Sequence, residues 1–225
     1  MTPALEVTAT APIVSFRNPL YAGLQVQLPC PPPSTVGGLL AAAAGGWDRV
    51  PHRTRFAMAF HAAGAGTDLE TYHPLGAPGT PTNTTIKDRD FLALTTLTVW
   101  ITEDLDLWEQ ALRRPVWPLR LGRSQDLTAV RTRRVELAAS AGNQGHAIVP
   151  EALPGAVGTR IRLTTAISPD RAHTQWDGYR YATAGARTRI DAGLATAHGQ
   201  AVALLPPVHP AGLTPPAGQP WGPQR

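Results

Sequence analysis

Apolar and polar residues alternate most clearly from Phe91 to Ile101, where Leu92, Leu94, Leu97, Val99 and Ile101 are interleaved with threonines. That pattern predicts a half-buried strand. Leu5 to Phe16 is rich in β-branched and small residues and predicts an earlier strand, with Arg17-Asn18-Pro19 as the turn after it. Val36, Leu39, Leu40 and Ala43 recur at helical spacing, which predicts a short helix over Thr35 to Ala44. Three prolines stiffen its approach, Ser34 is placed to cap it, and Gly45-Gly46 ends it. Gly37 and Gly38 cost such a helix about 1 kcal/mol each, so their presence predicts close approach by another backbone. Weaker alternation over Arg55 to His61 and Leu69 to His73 predicts two more strands. Residues 74–90, rich in Pro, Gly and Thr, predict a long hairpin or excursion from the sheet. Asp104 or Asp106 opens a second helix with Leu107, Trp108, Ala111 and Leu112 on its apolar face, ending at Arg113-Arg114-Pro115.

The order β-α-β-β-α predicts an α+β protein whose first part, residues 1–115, is close to the split βαβ of a ferredoxin-like fold. Beyond it, Ala129 to Leu137, Thr159 to Ile167 and Ala201 to Leu205 predict strands separated by long connections. Residues 116–205 therefore form a β-rich C-terminal lobe rather than an independent domain. The tail, 206–225, holds seven prolines in twenty residues and is expected to lack order unless a partner supplies it.

Composition narrows the function classes. With 43% hydrophobic and 16% charged residues, the 225-residue chain is not a highly charged disordered protein. No run of about 18 apolar residues predicts a membrane span, and the N-terminus has no signal-peptide pattern. Cys30 is the only cysteine, which excludes an internal disulfide and a cysteine-rich zinc site and points to a reducing cytoplasm. Charge is uneven. Residues 1–112 carry six basic and ten acidic side chains, residues 113–225 fourteen and six, and only Lys87 among the cations is not arginine. Arginine forks onto phosphate and stacks on bases. On charge alone, a nucleic-acid surface and a merely solvated basic face fit equally well.

The chain offers little for catalysis. Its seven histidines form no HxH or HxxxH pair, so no metal site is expected. Neither a G-x-S-x-G elbow nor a G-x-x-x-x-G-K-[ST] loop is present, and no cofactor is expected. Metal-free RNA cleavage needs a base near a 2′-hydroxyl and a cation on the phosphate. His73 with Lys87, or His61 with Tyr72, supplies the residue types, against ordinary surface or core histidines. The aromatic motif of the common RNA-recognition sheet is absent. What remains is a basic cluster: Arg113, Arg114, Arg120, Arg123, Arg131, Arg133 and Arg134 against Asp126 alone. Arg131 and Arg133 share one face of a strand and suit a phosphate backbone, or else form a charged edge that blocks aggregation.

Two blocks carry a specific resemblance. Residues 14–47, VSFRNPLYAGLQVQLPCPPPSTVGGLLAAAAGGW, contain a strand ending in S-F-R and then P-P-P-S-T-V-x-G-L-L-A-A-A. Residues 118–127 read P-L-R-L-G-R-S-Q-D-L. In both, the chain resembles the CRISPR-associated Cas-five family of the RAMP superfamily, closest to subtype B or A of type I systems.

The resemblance implies a non-catalytic subunit of the Cascade surveillance complex. Such a subunit grips the 5′ handle of the CRISPR RNA in antiviral defence. It touches the Cas-seven backbone and the Cas-eight large subunit, reaches target DNA through the assembled complex, and has no membrane role. It implies a phosphate contact for Arg17, and Gly122 presenting Arg120 and Arg123. The N–H groups opened by Ser34 and Thr35 suit a phosphate or are simply capped. By chain order, 74–90 corresponds to the family's thumb hairpin, with Lys87 and Arg89 as RNA contacts. Two features depart from the family. The glycine-rich loop common near RAMP C-termini has no clear match, Gly142-Asn143-Gln144-Gly145 being a poor candidate. The Tyr-Lys-His cluster of the members that process precursor RNA is missing, which argues against the alternative function, a metal-independent endoribonuclease.

Overall fold

Burial alternates along Thr2–Val14 (β1): Leu5, Val7, Ala9 and Ala11 are inside, with Glu6, Thr8 and Thr10 on the other face. The computed structural model describes residues 1–18, 26–73 and 84–213. After β1 come helix α1 (Pro33–Ala44), β2 (Ala57–Tyr72), β3 (Thr85–Ile101), α2 (Leu105–Arg113) and β4 (Ala129–Leu137). Then follow β5 (Gly142–Gly145), β6 (Ala147–Pro150), β7 (Thr159–Ile167), β8 (Thr174–Tyr181), β9 (Ala186–Ile190), β10 (Gly193–Ala195) and β11 (Ala201–Ala203). Seven strands join one antiparallel sheet in the order β4-β1-β3-β2-β6-β8-β7. Strands β5 and β9 pair separately, as do β10 and β11. The protein is thus α+β and dominated by sheet. β4 and β6 both lie beyond residue 115, yet they extend the sheet on β1 and β2.

Both helices pack on one face of this sheet. Val36, Leu39 and Leu40 of α1 and Trp108 and Leu112 of α2 join Leu5, Val7, Met58, Phe60, Leu97, Val99, Leu163 and Tyr179 in the main core. The opposite face is covered in part. Val202 closes over Ala4, Ala57, Trp100 and Leu137, while Ala201 and Ile190 close over Ala147 and Val149. The threonines of β1 and β3 lie outside that cover.

Several expectations are corrected. The segments 55–61 and 69–73 are not separate strands: β2 runs unbroken for sixteen residues, because the long β3 pairs with it from Trp100 to Thr85. Residues 85–90 are accordingly part of the returning arm of that hairpin, and 74–83 of the expected thumb lie outside the described residues. Leu94 does not join the core. It sits at φ 51° and is 70% exposed, interrupting both ladders of β3 without changing their register, and beyond it Leu92 packs against the core. Leu107 of α2 is also exposed.

The helix caps differ too. Pro32 is the N-cap of α1, and Ser34 caps nothing because its hydroxyl shares a 2.6 Å hydrogen bond with Thr164 on β7. Asp104 flanks α2, but its carboxylate is held by Arg53, which also pairs Glu103. The close approach at Gly37 is by side chains rather than backbone: a Cβ there would lie 2.9 Å from Val208 and 3.0 Å from Trp47, whereas Gly38 faces open space. Val208 belongs to the start of the proline-rich tail and packs in the main core. Val208 N–H donates to Thr54 and His209 Nε2 donates to the Trp47 carbonyl at 2.9 Å, while 214–225 lie outside the described residues. Gly142–Gly145 is strand β5, not a loop.

Candidate nucleic-acid interface

The fold brings the two motif blocks together. Ser15 follows β1, and its backbone N–H donates to the Asp126 carboxylate at 3.1 Å. A Cβ on Gly122 would lie 2.8 Å from the Ser15 carbonyl oxygen, and Gly122 adopts φ 109°, so this turn requires glycine. Phe16 and Leu121 are both buried in the main core. Between buried Leu119 and buried Leu121, Arg120 must point outward. Arg17 is likewise exposed, two residues beyond Ser15. The blocks thus form one knot that presents Arg17 and Arg120.

Arg123 has a different role from the one expected. Its guanidinium pairs with Asp126 at 3.0 Å with both side chains largely buried, and its own backbone N–H bonds the same carboxylate. The residue holds the turn and presents little charge. Ser34 and Thr35 are half-buried at the start of α1. The Ser34 hydroxyl is tied to Thr164 on β7, and the Thr35 N–H donates to the Pro32 carbonyl, so that N–H already has a partner.

The hairpin cations are also engaged. Lys87 stands across from Glu70, and the Arg89 guanidinium pairs with Glu70. Lys87 is therefore ranged against an acid rather than beside His73, whose Nδ1 meets the Thr84 hydroxyl.

On β4 the three arginines part ways, as alternation dictates. Arg134 turns toward the helices and binds Asp106 at 2.5 Å and Glu109 at 2.7 Å on α2, hydrogen bonds that raise its pKa further. Arg131 and Arg133 stand on the other face, opposite Thr8 and Glu6 of β1. Arg133 bonds Glu6 at 2.7 Å and keeps 64% of its side chain exposed, and Glu6 also accepts from Trp100 Nε1. Among the described residues, Arg17, Arg120 and Arg131 have no ion-pair partner.

That face carries a feature the sequence did not announce. Thr8 pairs with Thr98 and Thr10 with Thr96, giving a strip of hydroxyls along the centre of the sheet. The strip runs into a cleft of about 350 Å³ between the sheet and the turn 196–200, lined by His61, His146, His198 and Arg133. The rings of His61 and His146 lie 4.7 Å apart. Burial, and then the neighbouring His61, hold the His146 imidazole below the usual histidine range. His61 and His146 are far apart in sequence, so no spacing motif points to them. Among the described residues, no three His, Cys, Asp or Glu side chains gather as metal ligands. No described helix is long and apolar enough to cross a membrane.

No curated protein matches the sequence. Among solved structures, a chain of a CRISPR RNA-guided surveillance complex superposes with TM-score 0.53 and 19% identity, covering 81% of this chain and 90% of that one. A CRISPR protein from Archaeoglobus fulgidus gives TM-score 0.48 and 10% identity, covering 91% and 99%. A structure described only as a Cas protein gives 0.45 and 17%, covering 84% and 95%. The first shows a shared fold. The profile of the family described as "CRISPR-associated protein (Cas_Cas5)" matches residues 4–196, nearly the whole described chain, and the protein belongs to that CRISPR-associated Cas-five family.

Proposed function

We propose that the protein is the non-catalytic subunit that holds the 5′ handle of CRISPR RNA in a type I Cascade complex, beside the Cas-seven backbone and the Cas-eight large subunit. Family membership and the likeness to a chain of an RNA-guided surveillance complex support this reading. We read β1-α1-β2-β3-α2-β4, with strands in the order β4-β1-β3-β2, as a ferredoxin-like unit. The β2–β3 hairpin is its thumb. The observation that carries the proposal is the uncovered hydroxyl face of the sheet, edged by Arg131 and Arg133. It offers phosphate and 2′-hydroxyl contacts without the aromatic platform of sequence-reading RNA sheets. Through the assembled complex, base pairing rather than this subunit reads target DNA.

The test is equilibrium binding of the full chain to single-stranded repeat-derived RNA, with metal-free incubation of the same RNA. Salt-dependent binding without cleavage supports the reading. A single discrete cut would replace it with the endoribonuclease alternative.

A further inference from the structure

Three imidazoles converge on the cleft from different parts of the chain: His61 from β2, His146 from the residue before β6, and His198 from the turn between β10 and β11. The backbone fixes two of them. Phe60 N–H donates to the His146 carbonyl at 3.1 Å, and the Phe60 carbonyl accepts the buried Tyr181 hydroxyl at 2.8 Å. The ring of His146 also backs onto Gly185, where a Cβ would lie 3.1 Å from it. The neighbouring histidines are therefore held in place by the core.

The charges around them leave room for an anion. Among the described residues, Glu6 is the only acid lining the cleft, and it is already matched by Arg133 and Trp100. β3 contributes threonines, and the 182–185 turn behind His146 contains no titratable side chain. We propose that this cleft seats one phosphodiester of single-stranded RNA, held by His61, His146 and His198 together with the exposed side of Arg133. This rests on the RNA-binding function proposed above and adds a subsite to it.

The shape favours a polymer over a small free anion. The cleft is open, and Thr96 is shared with a second groove that continues over Thr10 to Pro12 and Leu94. Flanking nucleotides can lie along that hydroxyl strip. The chemistry sets a pH dependence. Two imidazoles 4.7 Å apart repel each other when both are charged, and a phosphate among them removes that penalty. Binding then takes up protons, so affinity rises as pH falls.

The experiment measures anisotropy of a labelled single-stranded repeat RNA with the full chain at pH 5.5, 6.5 and 7.5 and constant ionic strength. Wild type is expected to tighten by about tenfold from pH 7.5 to 5.5, the equivalent of a one-unit pKa change on binding. His61→Gln and His146→Gln are each expected to flatten that dependence. His52→Gln, at a histidine stacked on His209 outside the cleft, is expected to keep it. Thermal melts of each variant separate a folding defect from a binding defect. Since His61 is exposed, His61→Gln remains informative should His146→Gln unfold. Binding of wild-type strength that does not vary with pH, or a pH dependence retained by folded His61→Gln, overturns the subsite alone. Failure to bind RNA at any pH overturns the proposed function and this subsite with it.

Discussion

The carboxylate of Asp126 accepts the backbone N–H of Ser15 at 3.1 Å, which fastens the end of the first strand to a turn 111 residues away. The same carboxylate receives the Arg123 guanidinium and the Arg123 backbone N–H. Removing it leaves a largely buried cation and two backbone donors without their partner. Asp126→Ala is expected to cost about 3 kcal/mol in urea denaturation. Arg123→Ala should cost less, because the carboxylate keeps its backbone donors. A ranking in which Arg123→Ala is harmless to stability but abolishes RNA binding would return Arg123 to the RNA surface.

Gly37 and Gly38 are neighbours with opposite expectations. Alanine at 37 must displace the β-branched Val208 and the Trp47 ring, whereas alanine at 38 meets nothing within 4 Å. Gly37→Ala is expected to destabilise by about 1–2 kcal/mol. Gly38→Ala is expected to stabilise by about 0.5–1 kcal/mol through helix propensity. Paired thermal melts check both, and equal effects would show that packing on the tail is not what selects glycine at 37.

Arg120→Ala and Arg131→Ala should each lower RNA affinity, and removing one arginine from one phosphate should reduce the log–log salt slope by about 0.7. Arg134→Ala should leave that slope unchanged, because its guanidinium is turned to Asp106 and Glu109 on α2. Salt titrations of RNA binding on the three variants measure the difference. A weakening confined to Arg134→Ala would reverse the assignment of the two faces of β4.

Cys30 is fully buried and burial pushes its thiol pKa up strongly. The folded thiol should resist alkylation until the chain unfolds, so labelling reports global opening. The sign of the pH effect follows. In the unfolded chain the thiol ionises at about 8.5, whereas in the folded chain it keeps its proton, so raising the pH through that value favours unfolding. Stability is expected to decline above about pH 8.5, and Cys30→Ser should show a shallower decline there. Rapid labelling of folded protein at neutral pH would refute the burial.

Elements whose side chains differ strongly between faces are legible from the chain alone. β4 and β7 have the bounds expected of them, and α1 follows the spacing of Val36, Leu39, Leu40 and Ala43. β2 reads as two strands because its second half, AAGAGTDLETY, is mostly small or polar and carries almost no burial contrast; the partner strand holds it extended. The short strands β5, β6, β9 and β10 escape a pattern reading because three to five residues carry too little periodicity, and β8 because its polar residues and Gly178 break any alternation while β6 and β7 hold it in the sheet.

For the candidate interface, residue order and composition set the inventory: an arginine-rich second half, two family blocks, scattered histidines and a lone cysteine. Folding in three dimensions determined which of these groups are available. Pairing in space sent Arg123 to Asp126, Arg134 to α2 and Ser34 to Thr164, and left Arg17, Arg120 and Arg131 exposed. It also set His61 beside His146 across 85 residues of chain. The physical reason is that charge and hydrogen-bonding capacity belong to a residue, whereas their satisfaction depends on neighbours that only the folded chain supplies.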